Sequence, residues 1–230
     1  MSKKAIVAYS GGLDTTYCTV YLKNKGYEVH TVFADTGGFS EEELTVIENN
    51  AYKAGSKNHE TLQIKDKFYD ECLKYLIFGN VLRGSNYPLC VSSERVFQAR
   101  AVAQYAEKTG AQSVAHGSTG AGNDQVRFDL AFRVYAPELE IIAPVREQAL
   151  SREEEVAYLK ENGIEWPENK KSYSINQGLW GMTIGGSETL TPDQALPEEA
   201  WPYPVTRSEP KTITIGFKQG EPVSLYGELC

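Results

Sequence analysis

Apolar residues fill positions 5–9 (AIVAY) and stop at Ser10-Gly11-Gly12, after which Leu13, Cys18, Val20, Tyr21 and Leu22 recur at helical spacing as far as Gly26. A strand, a tight turn and a helix are predicted. The pattern returns with an apolar run at 29–34, glycines at 37 and 38, and a helix-like stretch over 41–54. Two successive strand–helix units imply a parallel sheet. Charged periodic segments at 66–78 and 92–109 read as helices, and 113–115 and 140–143 as short strands. Ser151 followed by Arg-Glu-Glu-Glu has the form of a helix N-terminus with a capping serine and an acidic first turn, ending near Asn162-Gly163.

The texture changes at Trp166-Pro167. Loops rich in Gly, Pro, Ser and Asn run to Pro210, and strands at 212–217 and 222–226, separated by Lys218-Gln219-Gly220, predict a β-hairpin. The expected fold class is therefore α/β. Residues 1–165 are expected to form a doubly wound parallel-sheet domain, and 166–230 to begin a second domain; the motifs described below make the first a candidate nucleotide-binding domain and the second the start of an α+β domain.

Composition narrows the function classes. With 31 acidic against 23 basic residues the net charge is −8, the wrong sign for a protein that reads the phosphate backbone of nucleic acid. Cys18, Cys72, Cys90 and Cys230 lie far apart with no CxxC pair, which points away from zinc, a redox motif or a disulfide framework and toward reduced cytoplasmic thiols. The N-terminal apolar run is too short for a signal peptide or a membrane span.

The turn Ser10-Gly11-Gly12-Leu13-Asp14-Thr15-Thr16 follows a strand and opens a helix, where backbone N–H groups and the helix dipole can surround an anion. It lacks the lysine of GxxxxGK[ST] and does not fit GxGxxG. The hydroxyls of Ser10, Thr15 and Thr16 add donors that a bare turn does not need, although an ordinary strand-to-helix turn would carry the same glycines. SGGLDTT resembles the SGG-x-D-[ST] loop of the ATP pyrophosphatases, which cleave ATP between the α and β phosphates. That resemblance implies that Ala8, Tyr9, Ser10, Gly11, Gly12, Leu13, Asp14, Thr15 and Thr16 line the triphosphate and that Ala34 approaches the adenine. Asp14 could orient the loop, help hold Mg²⁺, or simply complement the dipole. Ala34 equally suits plain packing at a strand end.

A second segment, His116-Gly-Ser-Thr-Gly-Ala-Gly-Asn-Asp-Gln-Val-Arg-Phe-Asp, interleaves three glycines with Ser118, Thr119, Asn123 and Asp124, so that the backbone can turn sharply while polar side chains converge. Asp124 can pair with an ammonium and Arg127 can clamp a carboxylate, as a zwitterionic amino acid requires. A solvated loop with a helix cap is the alternative. His116, alone at a strand end, reads as structural.

This run is very similar to the GSTGKGNDQVRFE signature of the argininosuccinate synthase family. Tyr87-Pro-Leu-Cys-Val-Ser92 and Ser172-Tyr-Ser-Ile-Asn-Gln-Gly-Leu-Trp-Gly resemble two further motifs of that family in the same order. The resemblance implies a C–N-bond-forming ligase of arginine biosynthesis that uses ATP with Mg²⁺ to adenylate citrulline and lets aspartate displace AMP. It implies nucleotide contact at Gly117; citrulline contacts at Tyr87, Ser92, Asn123, Arg127, Ser174 and Thr183; and aspartate contacts at Thr119, Asn123 and Asp124. No catalytic acid or base and no protein metal ligand set is implied. The expected partners are the three substrates, with no nucleic acid and no membrane, in a cytoplasmic homotetramer.

Three departures stand out. Ala121 replaces the family's lysine, Asn176 and Gln177 replace acidic residues, and the chain stops at Cys230, short of further citrulline contacts and a C-terminal assembly helix that the family carries. Another ATP pyrophosphatase with a different acceptor, and an ATP-binding module without chemistry, are the rival readings. Thiolation would want paired cysteines and a basic surface, and the segment from Thr119 to Arg127 is superfluous to a pure nucleotide binder.

Overall fold

The computed structural model describes residues 2–167 and 173–229. They fall into two compact units, Met1–Asp66 with Ser92–Glu168 and Lys67–Val91 with Asn169–Cys230. Lys67–Val91 thus groups with later residues, which the expectation of two consecutive segments, 1–165 and 166–230, did not include. No helix among the described residues is long and apolar enough to cross a membrane.

The first unit is built on β1 (Lys4–Ala8), α1 (Leu13–Asn24), β2 (Glu28–Asp35), α2 (Glu41–Lys53), β3 (Asn58–Gln63), α3 (Cys90–Lys108), β4 (Ser113–Ala115), α4 (Asp124–Tyr135), β5 (Glu140–Ile142), α5 (Pro144–Glu147) and α6 (Arg152–Glu161). Its five strands are all parallel in the order β3-β2-β1-β4-β5. Ala5, Ile6 and Val7 are fully buried, because a central parallel strand is covered on both faces and so reads as continuous apolar sequence.

The two faces have separate cores. Ile6, Val32 and Val114 pack with Ala99, Val102, Ala103 and Ala106 of α3 and with Phe132 of α4. Ala5, Val7, Val29 and Ala115 pack on the other side with Tyr17, Cys18 and Leu22 of α1. Helix α1 is covered again on its far side, where Leu13 and Val20 meet Ala54 and Leu159 of α6. Helices on both faces of a parallel sheet are the doubly wound arrangement expected from the sequence. Two capping boxes start its helices. Ser40 and Glu43 open α2, and Ser151 and Glu154 open α6, each serine hydroxyl accepting from the N–H three residues on.

Three elements of this unit were not visible in the sequence: β3, α4 and the four-residue α5. Strand β3 reads NHETLQ, whose polar residues hide an edge strand with only His59 buried. Helix α4 buries Ala131 and Phe132 but exposes Val126, Leu130 and Val134, so its apolar periodicity marks a surface stripe as much as a core face.

In the second unit, residues 67–78 run as helix with a wide π-helical turn at Tyr69–Leu73. Strands β6 (Ser174–Gly178) and β7 (Gly181–Gly185) pair antiparallel, as do β8 (Ile215–Lys218) and β9 (Glu221–Leu225), with β10 (Glu228–Leu229) added to β9. The expected hairpin is therefore present, turning through Gln219 and Gly220, both at positive φ, the geometry that matches strand twist. Tyr69 ties the helical segment to it, donating from its hydroxyl to Glu221 Oε1 at 2.6 Å.

Candidate functional site

Strand β1 delivers the chain into the glycine turn at the sheet's carboxyl edge. Gly11 has φ +76°, and a Cβ there would lie 3.1 Å from Ile47 Cγ1, so both backbone conformation and space call for glycine. Gly12 caps α1 without a side-chain cap. The amides of Gly11 and Leu13 have no acceptor among the described residues, whereas the Thr16 N–H donates to Gly12 O at 3.0 Å. Such amides at a helix start are suited to an anion.

Hydroxyls brace this turn from within. Thr15 Oγ1 donates to Gly12 O (3.2 Å) and accepts from the Ser10 N–H (3.3 Å), and the Tyr9 hydroxyl meets Thr16 Oγ1 at 3.1 Å. Thr15 and Thr16 are buried and Ser10 is exposed. The threonines therefore shape the loop, and Ser10 is the hydroxyl that faces solvent. Ala8 lies at the end of β1, and Ala34, 5% exposed near the end of β2, accepts from Gln98 Nε2 through its carbonyl at 3.4 Å.

Between β1 and β4 the winding reverses, and ligands of such sheets bind beyond the strand ends at that switch point. The two loops there are in contact. A Cβ on Gly117 would lie 2.9 Å from both C and Cβ of Asp14 and 3.0 Å from Thr15 N, so the loop after β4 rests on the first turn of α1. Nucleotide residues expected from two distant motifs are thereby brought together.

The rest of the second motif extends from that contact. Thr119 and Asn123 are exposed, and Asp124 and Arg127 half-buried at the start of α4. Asp124 Oδ1 is paired with Arg127 Nη1, and its Oδ2 accepts from Arg95 Nε at 3.1 Å. The two groups assigned to an ammonium and a carboxylate thus compensate each other. Arg95, on α3, went unnoticed in the sequence, where an arginine inside a charged helix carries no distinguishing signal. Ser92 lies half-buried in the first turn of the same helix.

The other expected citrulline contacts belong to the second unit. Tyr87, 37% exposed, pairs through its backbone with Arg83. Thr183 stands on β7 opposite Asn176, whose Nδ2 approaches its hydroxyl at 3.5 Å. Ser174 is placed by its backbone in register with Gly185, and its side chain lies outside the described residues, as does Ser172.

Two carboxyls meet beneath the glycine turn. The carboxyls of Asp14 and Glu155 of α6 act on one another electrostatically, with the Arg152 charge nearby. Burial, then the negative charge of Asp14, pushes Glu155 up to about 8, and burial raises Asp14 as well. Glu155 is 2% exposed, and its Oε2 has no hydrogen-bond partner. Two such carboxyls hold a proton between them in place of two negative charges. Glu155 sits among the acidic residues of a helix start, which conceals its burial in the sequence. His116 is 1% exposed, with Nε2 2.9 Å from Asp129 Oδ1.

Residues 4–165 match the family described as the arginosuccinate synthase N-terminal HUP domain. The chain is similar to argininosuccinate synthases from Methanocaldococcus jannaschii (43% identical over 232 residues), Pyrobaculum aerophilum (40% over 232) and Xylella fastidiosa (40% over 239). Each comparison takes in 99% of this chain and 58% of the relative.

Proposed function

The chain belongs to the argininosuccinate synthase family, and from that membership we propose that it takes part in ATP-dependent ligation of citrulline to aspartate, giving argininosuccinate, AMP and pyrophosphate. It spans 58% of the length of the curated relatives named above. The observation that carries the proposal is the rest of Gly117 on Asp14 and Thr15, which joins a phosphate-type loop to a polar loop at one switch point.

In this reading the residues 8–16, with Ala34 and Gly117, hold ATP, and the unpaired amides of the glycine turn face the phosphates. Thr119, Asn123 and Asp124 receive aspartate. Asn123 and Arg127, with Ser92, Tyr87, Ser174 and Thr183, receive citrulline. A ureido oxygen is a poor leaving group, so its replacement by nitrogen needs activation, and transfer of the AMP moiety to that oxygen provides it. The citrulline oxygen attacks the α phosphorus and pyrophosphate leaves. The aspartate amine then attacks the ureido carbon and AMP leaves with the oxygen. Fixed donors and correct placement supply most of the rate, since none of the assigned residues is placed as an acid or base. Asp14, in the first turn of α1, remains able to brace the helix start.

Magnesium enters with the nucleotide. Among the described residues no group of three or more His, Cys, Asp or Glu is placed to hold a metal ion. The ion would sit on phosphate oxygens and neutralise their charge. Assembly as a cytoplasmic homotetramer completes the proposal.

The test is product identity. The protein is incubated with ATP and Mg²⁺ together with citrulline, aspartate or both, and nucleotide and phosphate products are separated. AMP and pyrophosphate that depend on citrulline are expected, with argininosuccinate only when both amino acids are present. ADP and phosphate would overturn the assignment.

A further inference from the structure

Thr119 is exposed at the tip of the loop after β4, yet the backbone on each side of it is tied to one continuous chain of side chains. The Ser118 N–H donates to His116 Nδ1 at 3.2 Å. Since Nδ1 accepts, the ring proton is on Nε2, which donates to Asp129 Oδ1 at 2.9 Å. Asp129 Oδ2 accepts from Arg146 Nη1 at 3.0 Å, and the same nitrogen donates to Gln125 Oε1 at 3.3 Å. Gln125 Nε2 closes the path, donating to Gly120 O at 2.7 Å.

We propose that these five hydrogen bonds form a clamp that sets the backbone of Ser118 and Gly120, so that Thr119 is held ready for the amino-acid co-substrate, with His116 as a buried positioning residue. The inference rests on the reading of Thr119 as an aspartate contact.

Several observations favour a clamp over a histidine that merely fills the core. Its ring nitrogens are both used, one toward the loop and one toward α4. The ring lies against Phe128 and Phe132, with centroids 5.6 and 6.2 Å away, which fixes its plane. Its own carbonyl accepts from the Cys18 thiol at 3.7 Å, so α1 holds the main chain from behind. The charged groups around the ring are Asp129 on α4 and Arg146 and Glu147 on α5. Burial holds the imidazole below its ordinary value against the pull of Asp129, which keeps Nδ1 free of a proton. Burial would raise Asp129, but the hydrogen bonds from His116 and Arg146 outweigh it and hold the carboxylate ionised. A second proton on the ring would set an N–H against the Ser118 N–H and open the clamp.

Two substitutions separate the halves of the ring. In His116→Asn the side-chain oxygen reaches the place of Nδ1 and can still accept from Ser118. In His116→Gln the amide nitrogen reaches the place of Nε2 and serves Asp129 only. Gln125→Ala releases the loop from its other, more accessible end. Aspartate affinity is measured by calorimetry in the presence of ATP, and ATP affinity alone, on the same preparations.

The clamp predicts that His116→Gln and Gln125→Ala each weaken aspartate binding by about tenfold, the scale of one lost hydrogen bond that leaves a partner unsatisfied. ATP affinity should stay within about twofold and His116→Asn should keep most of the aspartate affinity, since its loop bond survives. Unchanged aspartate affinity in both weakened variants would overturn the clamp. So would a parallel loss of ATP and aspartate binding in His116→Asn and His116→Gln, the mark of a packing role. A wild-type protein that binds ATP but no aspartate would instead remove the functional reading, and the clamp with it.

Discussion

Asp124 and Arg127, one turn apart at the start of α4, are paired with each other, and Arg95 of α3 takes the second oxygen of the carboxylate. On the proposed assignment of Asp124 to aspartate and Arg127 to citrulline, each substrate would exchange an existing ion pair for its own. On that assignment a ligand that took Asp124 alone would leave the half-buried Arg127 without this partner, whereas one that took Arg127 alone would leave Asp124 with Arg95.

Arg127→Leu tests that exchange. Asp124 retains Arg95, so the fold should lose little, roughly 1 kcal/mol or less for a half-exposed pair. Citrulline affinity should fall by about 2–5 kcal/mol, the range for truncating one partner of a desolvated charge pair. ATP affinity, measured by calorimetry on the same protein, should not change. Equal losses for both ligands would make Arg127 a support of the fold.

Gly117→Ala tests the contact between the two loops. The new Cβ meets main-chain atoms of Asp14 and Thr15 at 2.9–3.0 Å, and backbone cannot move aside as a flexible side chain can. The loop must shift, at about 1–3 kcal/mol of stability by analogy with overpacking elsewhere. ATP affinity should fall with it. Binding equal to wild type would show that the close approach does not serve the nucleotide.

Glu155→Gln tests the shared proton. The folded-state value of Glu155, about 8, lies above the ordinary 4.5, so between those values the folded protein binds the proton and the unfolded chain releases it. Stability is therefore greatest at the acid end of that window and declines as pH rises through it. The slope approaches ~1.4 kcal/mol per pH unit for one proton. Thermal melts from pH 5 to 9 should show this decline in the wild type and a flatter profile in Glu155→Gln, whose amide does not titrate. A variant that reproduces the wild-type slope would place the titration elsewhere.

Much of the first unit was legible along the chain, because its signals are local. A buried parallel strand declares itself as an apolar run, a glycine turn before a helix declares a place for an anion, and Ser151 with Glu154 declares a helix start. The segment from Gly117 to Arg127 likewise gathers its glycines and polar groups in consecutive residues. Strand β3 stayed hidden because a polar edge strand is held by backbone pairing to β2, which leaves little trace in side-chain pattern.

What the tertiary structure decided are relationships between segments far apart in sequence. Glu155 became a neutral-leaning acid only because α6 packs against α1 and sets it beside Asp14. Arg95 became the second partner of Asp124 through the approach of α3 to α4. His116, read from the sequence as a structural residue at a strand end, acquired two directed hydrogen bonds because β4, α4 and α5 converge on its ring. Residue type and spacing specify which groups a segment can offer. Desolvation and partner geometry depend on what else is packed there, and only the folded chain supplies that.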